Sequence, residues 1–253
     1  MRFLETVMGI PMSIDVRDAR DPRAVTQAAE RAFAVLRDAD ERFSAYRPDS
    51  ELSRVNARGG ELAGVSDDFR EVVELGSAMA RASGGAFRIR RPDGSWDLDG
   101  VVKGWAADRA ARTLADEGLC DYCLNAGGDV AVAGSPGDDR PWHVAVRSPD
   151  SATDLLAVLE ERRGGVATSG AYERGAHIVD GRTGAPATQL RSATVVADDL
   201  TTADLLATAV FALGPHGVRW ALGHGARAVL AVAADGTLHM VCELAFARED
   251  TEG

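Results

Sequence analysis

The stretch Asp97-Leu-Asp-Gly-Val-Val-Lys-Gly-Trp-Ala-Ala-Asp108 joins a strand-like run to a helix-like one. It carries Lys103, the only lysine of the chain; every other cationic side chain is arginine. Lysine is a compact, rotatable point charge and arginine a rigid planar fork, so the two are not interchangeable. Carboxylates and glycines surround Lys103, and glycine lets a ligand approach the backbone closely. On spacing alone two readings stand side by side: a solvated surface lysine, or a charge held for a ligand.

Downstream, the helix that starts here runs to about Gly118, and Cys120 to Leu124 reads as a strand. Asn125-Ala-Gly-Gly-Asp129 is a Gly-rich turn before a strand over Val130 to Ala133; it matches no dinucleotide fingerprint. Trp142 to Arg147 alternates as a half-buried strand does. Leu155 to Glu161 fits a strand or a short helix. Gly165 to Gly170 and Ala176 to Asp180 bracket a hairpin-like loop, Gly181 to Pro186 forms a turn, and Ala193 to Ala197 is a strand. Thr201 or Thr202 is expected to cap a helix through Leu213, closed by Gly214-Pro215. Arg219 to Leu222 has a helical pattern. Ala228 to Ala233 and Leu238 to Leu244 pair as a hairpin across Asp235-Gly236.

Upstream, Phe3 to Arg17 reads as a strand with a break. Asp21-Pro22 starts a helix, Asp as N-cap and Pro at the first helical position. Its apolar stripe is Val25, Ala29, Ala32, Leu36, Ala39 and Phe43. Phe43 to Asn56 reads as a polar loop presenting Tyr46. Ser66 caps a second helix that buries Phe69, Val72 and Val73 and stops at Gly84-Gly85. Ala86 to Arg90 is a candidate short strand. Helices and strands are interspersed without strict βαβ alternation, which predicts an α+β fold with antiparallel pairing. One domain is expected over 1–253, simple or built of two intimately packed lobes.

The net charge of −11 disfavours nucleic acid and anionic membranes as partners. A phosphorylated ligand would need local neutralisation, which a divalent cation supplies most simply. No segment reads as the ~20 apolar residues of a membrane span. The start has one Arg and no long apolar run, so a cytoplasmic location is expected. Cys120 and Cys123 form a C-x-x-C on an apparent strand, where residues three apart face opposite ways. They are expected to be buried small side chains rather than a redox pair.

Two further constellations could carry chemistry. Asp204-x-x-x-Thr208 puts a carboxylate and a hydroxyl on one helix face. Both are hard donors of the kind Mg2+ takes beside water and phosphate; equally, the Asp could serve the helix dipole and the Thr its own preceding turn. His177, in a short run beside two polar turns, is either a general base or a structural histidine. The remaining histidines show no metal-ligand spacing.

Taken in order, these segments resemble the flavin transferase family ApbE, the FAD:protein FMN transferases. Met8-Gly9 resembles the family's N-terminal Met-Gly, and Phe43 to Asn56 its Ser-rich loop. Gly84-Gly-Ala-Phe87 is similar to Gly-Gly-Ala-Phe-Asp. Asp97 to Asp108 is similar to Asp-Leu-Gly-Gly-Ile-Ala-Lys-Gly-Tyr-Ala-Val-Asp. Leu124 to Asp129, Thr168-Ser-Gly170, His177-Ile-Val-Asp180 with Thr183-Gly184, and Ala203 to Thr208 complete the series. The resemblance implies an ApbE-like (T-fold-like) architecture of mixed and antiparallel sheets packed with helices. It implies a transferase that moves FMN from FAD onto a Thr or Ser hydroxyl of an acceptor flavoprotein, with Mg2+ bound and AMP released. Asp204, Thr208 and the Gly100 carbonyl would hold Mg2+. Met8, Tyr46, Ala86, Phe87, Arg88, Asp97, Lys103 and Val179 would contact FAD, Tyr46 beside the isoalloxazine. His177 would activate the incoming hydroxyl. Three departures stand out: Arg88 replaces the usual Asp, the span from Phe87 to Asp97 is short, and Gly181 replaces the usual Pro.

Overall fold

The computed structural model describes residues 1–151, 153–170 and 178–242. Its strands are β1 (Arg2–Val7), β2 (Ile10–Val16), β3 (Tyr122–Ala126), β4 (Asp129–Ala133), β5 (Trp142–Arg147), β6 (Leu155–Glu161), β7 (Arg163–Gly170), β8 (Leu190–Ala197), β9 (Ala226–Ala233) and β10 (Leu238–Cys242). Eight form one sheet in the order β1-β2-β3-β4-β7-β8-β9-β10, antiparallel at every step. The other two, β5 and β6, make a separate antiparallel ribbon. The helices are α1 (Pro22–Phe43), α2 (Glu51–Ala57), α3 (Asp67–Ala82), α4 (Asp99–Asp116), α5 (Leu200–Leu213) and α6 (Gly217–Leu222). This is the expected α+β class.

Local chemistry explains most boundaries. The first strand breaks at Met8-Gly9, with φ of 54° and 71°. Val7 pairs with Ile10 across it, so the loop has the two positive-φ residues of a type I′ hairpin. Asp21 accepts from Arg23 N, with Pro22 opening α1. Ser66 accepts from Phe69 N at the start of α3. α5 is capped by Asp199, which accepts from Thr202 N at 2.7 Å, and not by Thr201 or Thr202. The expected polar loop before Asn56 contains α2. This helix buries only Leu52 and Val55, and Glu51 fastens it to α3 by accepting from Ser66 N and Ser66 Oγ. Ala86 to Arg90 is no strand; it makes a single bridge, Arg90 to Trp96.

The sheet is covered on both faces. One face carries the helices and the main core, in which Leu200, Leu206, Ala203, Ala207 and Val210 of α5 are fully buried. The other face carries the ribbon, where Trp142, Val144, Val146 and Leu159 pack on Val130, Val132, Val166, Val196 and Leu230. The run Leu200–Leu222 is apolar enough to span a membrane by length and composition, contrary to the sequence expectation. It is the central core helix with its continuation, mostly buried and interrupted by the 3-10 turn Gly214–His216. Cys120 is exposed rather than buried, because β3 begins two residues after it. Burial pushes the Cys123 thiol up to about 11.

Candidate active site

α4 and α5 cross at Gly104. A methyl group there would come within 2.5 Å of Asp204 Cβ and 3.0 Å of the Leu200 carbonyl oxygen, so only glycine admits this approach. The contact carries a bond as well: Gly104 N donates to Asp204 Oδ2 at 2.8 Å. One turn back, the Gly100 backbone faces Phe87 and Thr208; a Cβ on Gly100 would lie 3.3 Å from the Phe87 ring and 3.6 Å from Thr208 Cγ2. A further bond ties the two helices at their other end, Leu200 N to Asp108 Oδ1 at 3.3 Å.

Lys103 sits between two carboxylates. Its ammonium pairs with Asp129 Oδ2 and lies 3.7 Å from Asp204 Oδ1. Both acids are buried, Asp129 to 1% and Asp204 to 3% exposure, where an unpaired charge is costly. Asp129 opens β4 and also accepts from Thr168 N at 3.0 Å, which fixes it against β7. Next to Thr168 on β7, Ser169 reaches Thr208, Oγ to Oγ1, at 3.1 Å. Four separate elements therefore meet on Lys103, Asp204 and Thr208.

Lys103, Thr168, Ser169, Asp204 and Thr208 form the floor of a cleft of about 770 Å3, with Asp129 buried against Lys103. Its walls come from Ile10 at the first hairpin, Tyr46 before α2, Ala86, Phe87, Arg88 and Arg91, the start of α4, Arg147 at the end of β5, Gly170, Ile178 and Val179. Of the residues expected from sequence, Tyr46, Ala86, Phe87, Arg88, Asp97, Gly100, Lys103, Val179, Asp204 and Thr208 all line it. Met8 does not: it occupies the hairpin turn and packs against the main core, with Ile10 reaching the cleft instead. His177 lies outside the described residues. Asp129, Ser169, Arg91 and Arg147 are site residues that no sequence expectation covers. For Asp129 a signal existed, a carboxylate opening the otherwise apolar strand Asp-Val-Ala-Val-Ala.

The floor fits a hard divalent cation. Among the described residues no three carboxylate, imidazole or thiol groups converge, so an ion here would rest on mixed oxygen donors and keep open positions, as Mg2+ does. Asp204, the Thr208 hydroxyl and the Gly100 carbonyl are such donors. The Gly104 amide, the ordinary i+4 partner of that carbonyl, is engaged by Asp204.

The family model of ApbE matches residues 8–91 and 89–230. The chain belongs to the ApbE family. A relative from Rhodobacter capsulatus named FAD:protein FMN transferase is 36% identical over 180 residues, 68% of this chain and 34% of that protein. One of the same name from Klebsiella pneumoniae is 33% identical over 155 residues, 57% of this chain and 44% of the relative. The matched part of the chain thus spans less than half the length of these curated relatives. The crystal structure of the ApbE protein of Thermotoga maritima aligns with a TM-score of 0.84, covering 96% of this chain and 97% of that one at 23% identity. At that identity the likeness speaks for the ApbE fold.

Proposed function

We propose that this ApbE-family chain is a Mg2+-dependent FAD:protein FMN transferase. It would move FMN from FAD to a Thr or Ser hydroxyl of an acceptor flavoprotein and release AMP. The observation that carries this reading is the buried Asp129–Lys103–Asp204 arrangement beside Thr208 and Gly100, at the floor of a cleft of dinucleotide size. The names of the relatives support it.

In the reaction the acceptor oxygen bonds to the FMN phosphorus, the P–O–P link breaks, and AMP leaves with the bridging oxygen. Mg2+ held by Asp204, Thr208 and the Gly100 carbonyl would neutralise the phosphates. Lys103 adds a fixed positive charge, kept in place by Asp129. Tyr46, 95% exposed at the mouth, offers a face for the isoalloxazine to stack on. Phe87 and Val179 give the cleft its apolar wall. The hydroxyl proton needs a base within hydrogen-bond reach, and His177 is our candidate.

The test is incubation of the chain with FAD, Mg2+ and a domain bearing an acceptor Thr. The acceptor should gain the mass of one FMN in phosphoester linkage. Free FMN without acceptor modification would mean hydrolysis, and bound intact FAD a carrier; either outcome overturns the reading.

A further inference from the structure

Two of the three departures from the family pattern, Arg88 and Gly181, touch in space. Gly181 N donates to the Ala86 carbonyl at 2.9 Å, a bond that proline cannot make. A Cβ on Gly181 would collide with the Gly85 carbonyl oxygen and come within 3.0 Å of Arg88 Cβ. The Gly85–Arg88 backbone therefore sits flush on the turn at Asp180-Gly181 because the side chain at 181 is missing. Arg88 is half-buried there and lines the cleft.

The other cations of the cleft are already engaged. Lys103 pairs with Asp129 and Asp204, Arg91 with Asp97 at 3.2 Å, and Arg147 also has a partner. Arg88 makes no hydrogen bond or ion pair among the described residues, in a chain of 39 carboxylates. A guanidinium that has given up part of its hydration without a counter-ion among the described residues is poised for an anion that arrives with the ligand. Its planar fork matches two phosphate oxygens at once.

We propose that Arg88 is a pyrophosphate-binding residue of this chain, seated by Gly181. The identity of the anion rests on the FAD reading above: the isoalloxazine, ribityl chain and adenosine of FAD are uncharged at neutral pH, so the pyrophosphate is the anion a cation in this cleft meets. Charge from Arg88 also makes FAD binding less dependent on the divalent ion.

The experiment measures binding of inorganic pyrophosphate, FAD and riboflavin to the full chain by calorimetry, with EDTA and again with Mg2+. Wild type is compared with Arg88→Ala, Arg88→Lys and Gly181→Ala, each checked for an unchanged circular dichroism spectrum. Loss of one charge-assisted contact predicts about tenfold weaker pyrophosphate and FAD binding by Arg88→Ala in EDTA. Riboflavin binding stays unchanged, Arg88→Lys falls between, and Gly181→Ala resembles Arg88→Ala. Wild type that binds no pyrophosphate, Arg88→Ala that binds it as wild type does, or a parallel loss for riboflavin overturns the proposal. Pyrophosphate binding that depends on Arg88, in a protein that binds no FAD, would keep the anion site and sink the flavin reading instead.

Discussion

The floor and the rim of the cleft are built on opposite terms. On the floor, Asp129 and Asp204 are almost wholly buried, share one ammonium, and are held by backbone amides of Thr168 and Gly104. On the rim, Tyr46 is 95% exposed, and Arg91 is 43% exposed beside an Asp97 that is 30% exposed. Charges in the floor act in a low dielectric and barely reorganise, which is where transition-state charge is best stabilised. Exposed pairs on the rim contribute little to stability. In the proposed reading the floor sets the chemistry and the fold together, whereas the rim sets affinity for what enters.

Lys103→Met breaks this contrast most severely. It leaves Asp129 buried without its cation, and we expect a loss of about 3 kcal/mol in urea unfolding. A loss below about 1 kcal/mol would place Asp129 in a more solvated setting than its burial indicates. Lys103→Arg sharpens the point: the wider fork should fit poorly between Asp129 and Asp204 and weaken FAD binding, whereas intact binding would deny the lone lysine a special role. Gly104→Ala should cost about 1–3 kcal/mol through overpacking and lower activity as well, since the added methyl displaces Asp204. Unchanged stability would show that the helices can separate there freely.

On the rim, Tyr46→Ala should leave unfolding unchanged and weaken FAD binding up to about tenfold, the worth of one aromatic stacking contact. A drop in stability would contradict its exposed position. The smallest effect is a pH dependence. Burial pushes the Asp108 carboxyl above its ordinary 3.8, Asp199 adds to this, and Arg112 opposes it. As pH rises from 3.8, the unfolded chain loses this proton first. The group therefore favours unfolding increasingly until the raised folded value is passed, and by a constant amount above it. Asp108→Asn, which still offers an oxygen to Leu200 N, should gain melting temperature relative to wild type as pH climbs above 3.8. A profile parallel to wild type would contradict the shift.

Much of the floor was legible because it lies in runs whose local signals are strong. The 97–108 stretch flagged Lys103 and Gly100, and the four-residue spacing of Asp204 and Thr208 held on α5. What spacing could not give was the junction: Asp129 meets Lys103 only because β4 is seated against β7 and α4 against α5. The helix α2 escaped notice because its sequence is polar and two buried residues make no visible stripe. Its order comes from Ser50, whose side chain accepts from Ser53 N, and from the Glu51–Ser66 link, and the second of these is tertiary. Sequence places the cap of α5 two or three positions late because Asp199, Thr201 and Thr202 are all good caps; the folded chain uses Asp199.

In the proposed reaction the floor, and not the rim, carries out FMN transfer. Single-turnover transfer from saturating FAD to an acceptor domain, in saturating Mg2+, tests it with Asp204→Ala and Tyr46→Ala measured side by side. Asp204→Ala should fall by at least about a hundredfold, the scale of losing one preorganised electrostatic group, and Tyr46→Ala should retain nearly the full rate once FAD saturates. A near wild-type rate for Asp204→Ala would contradict it.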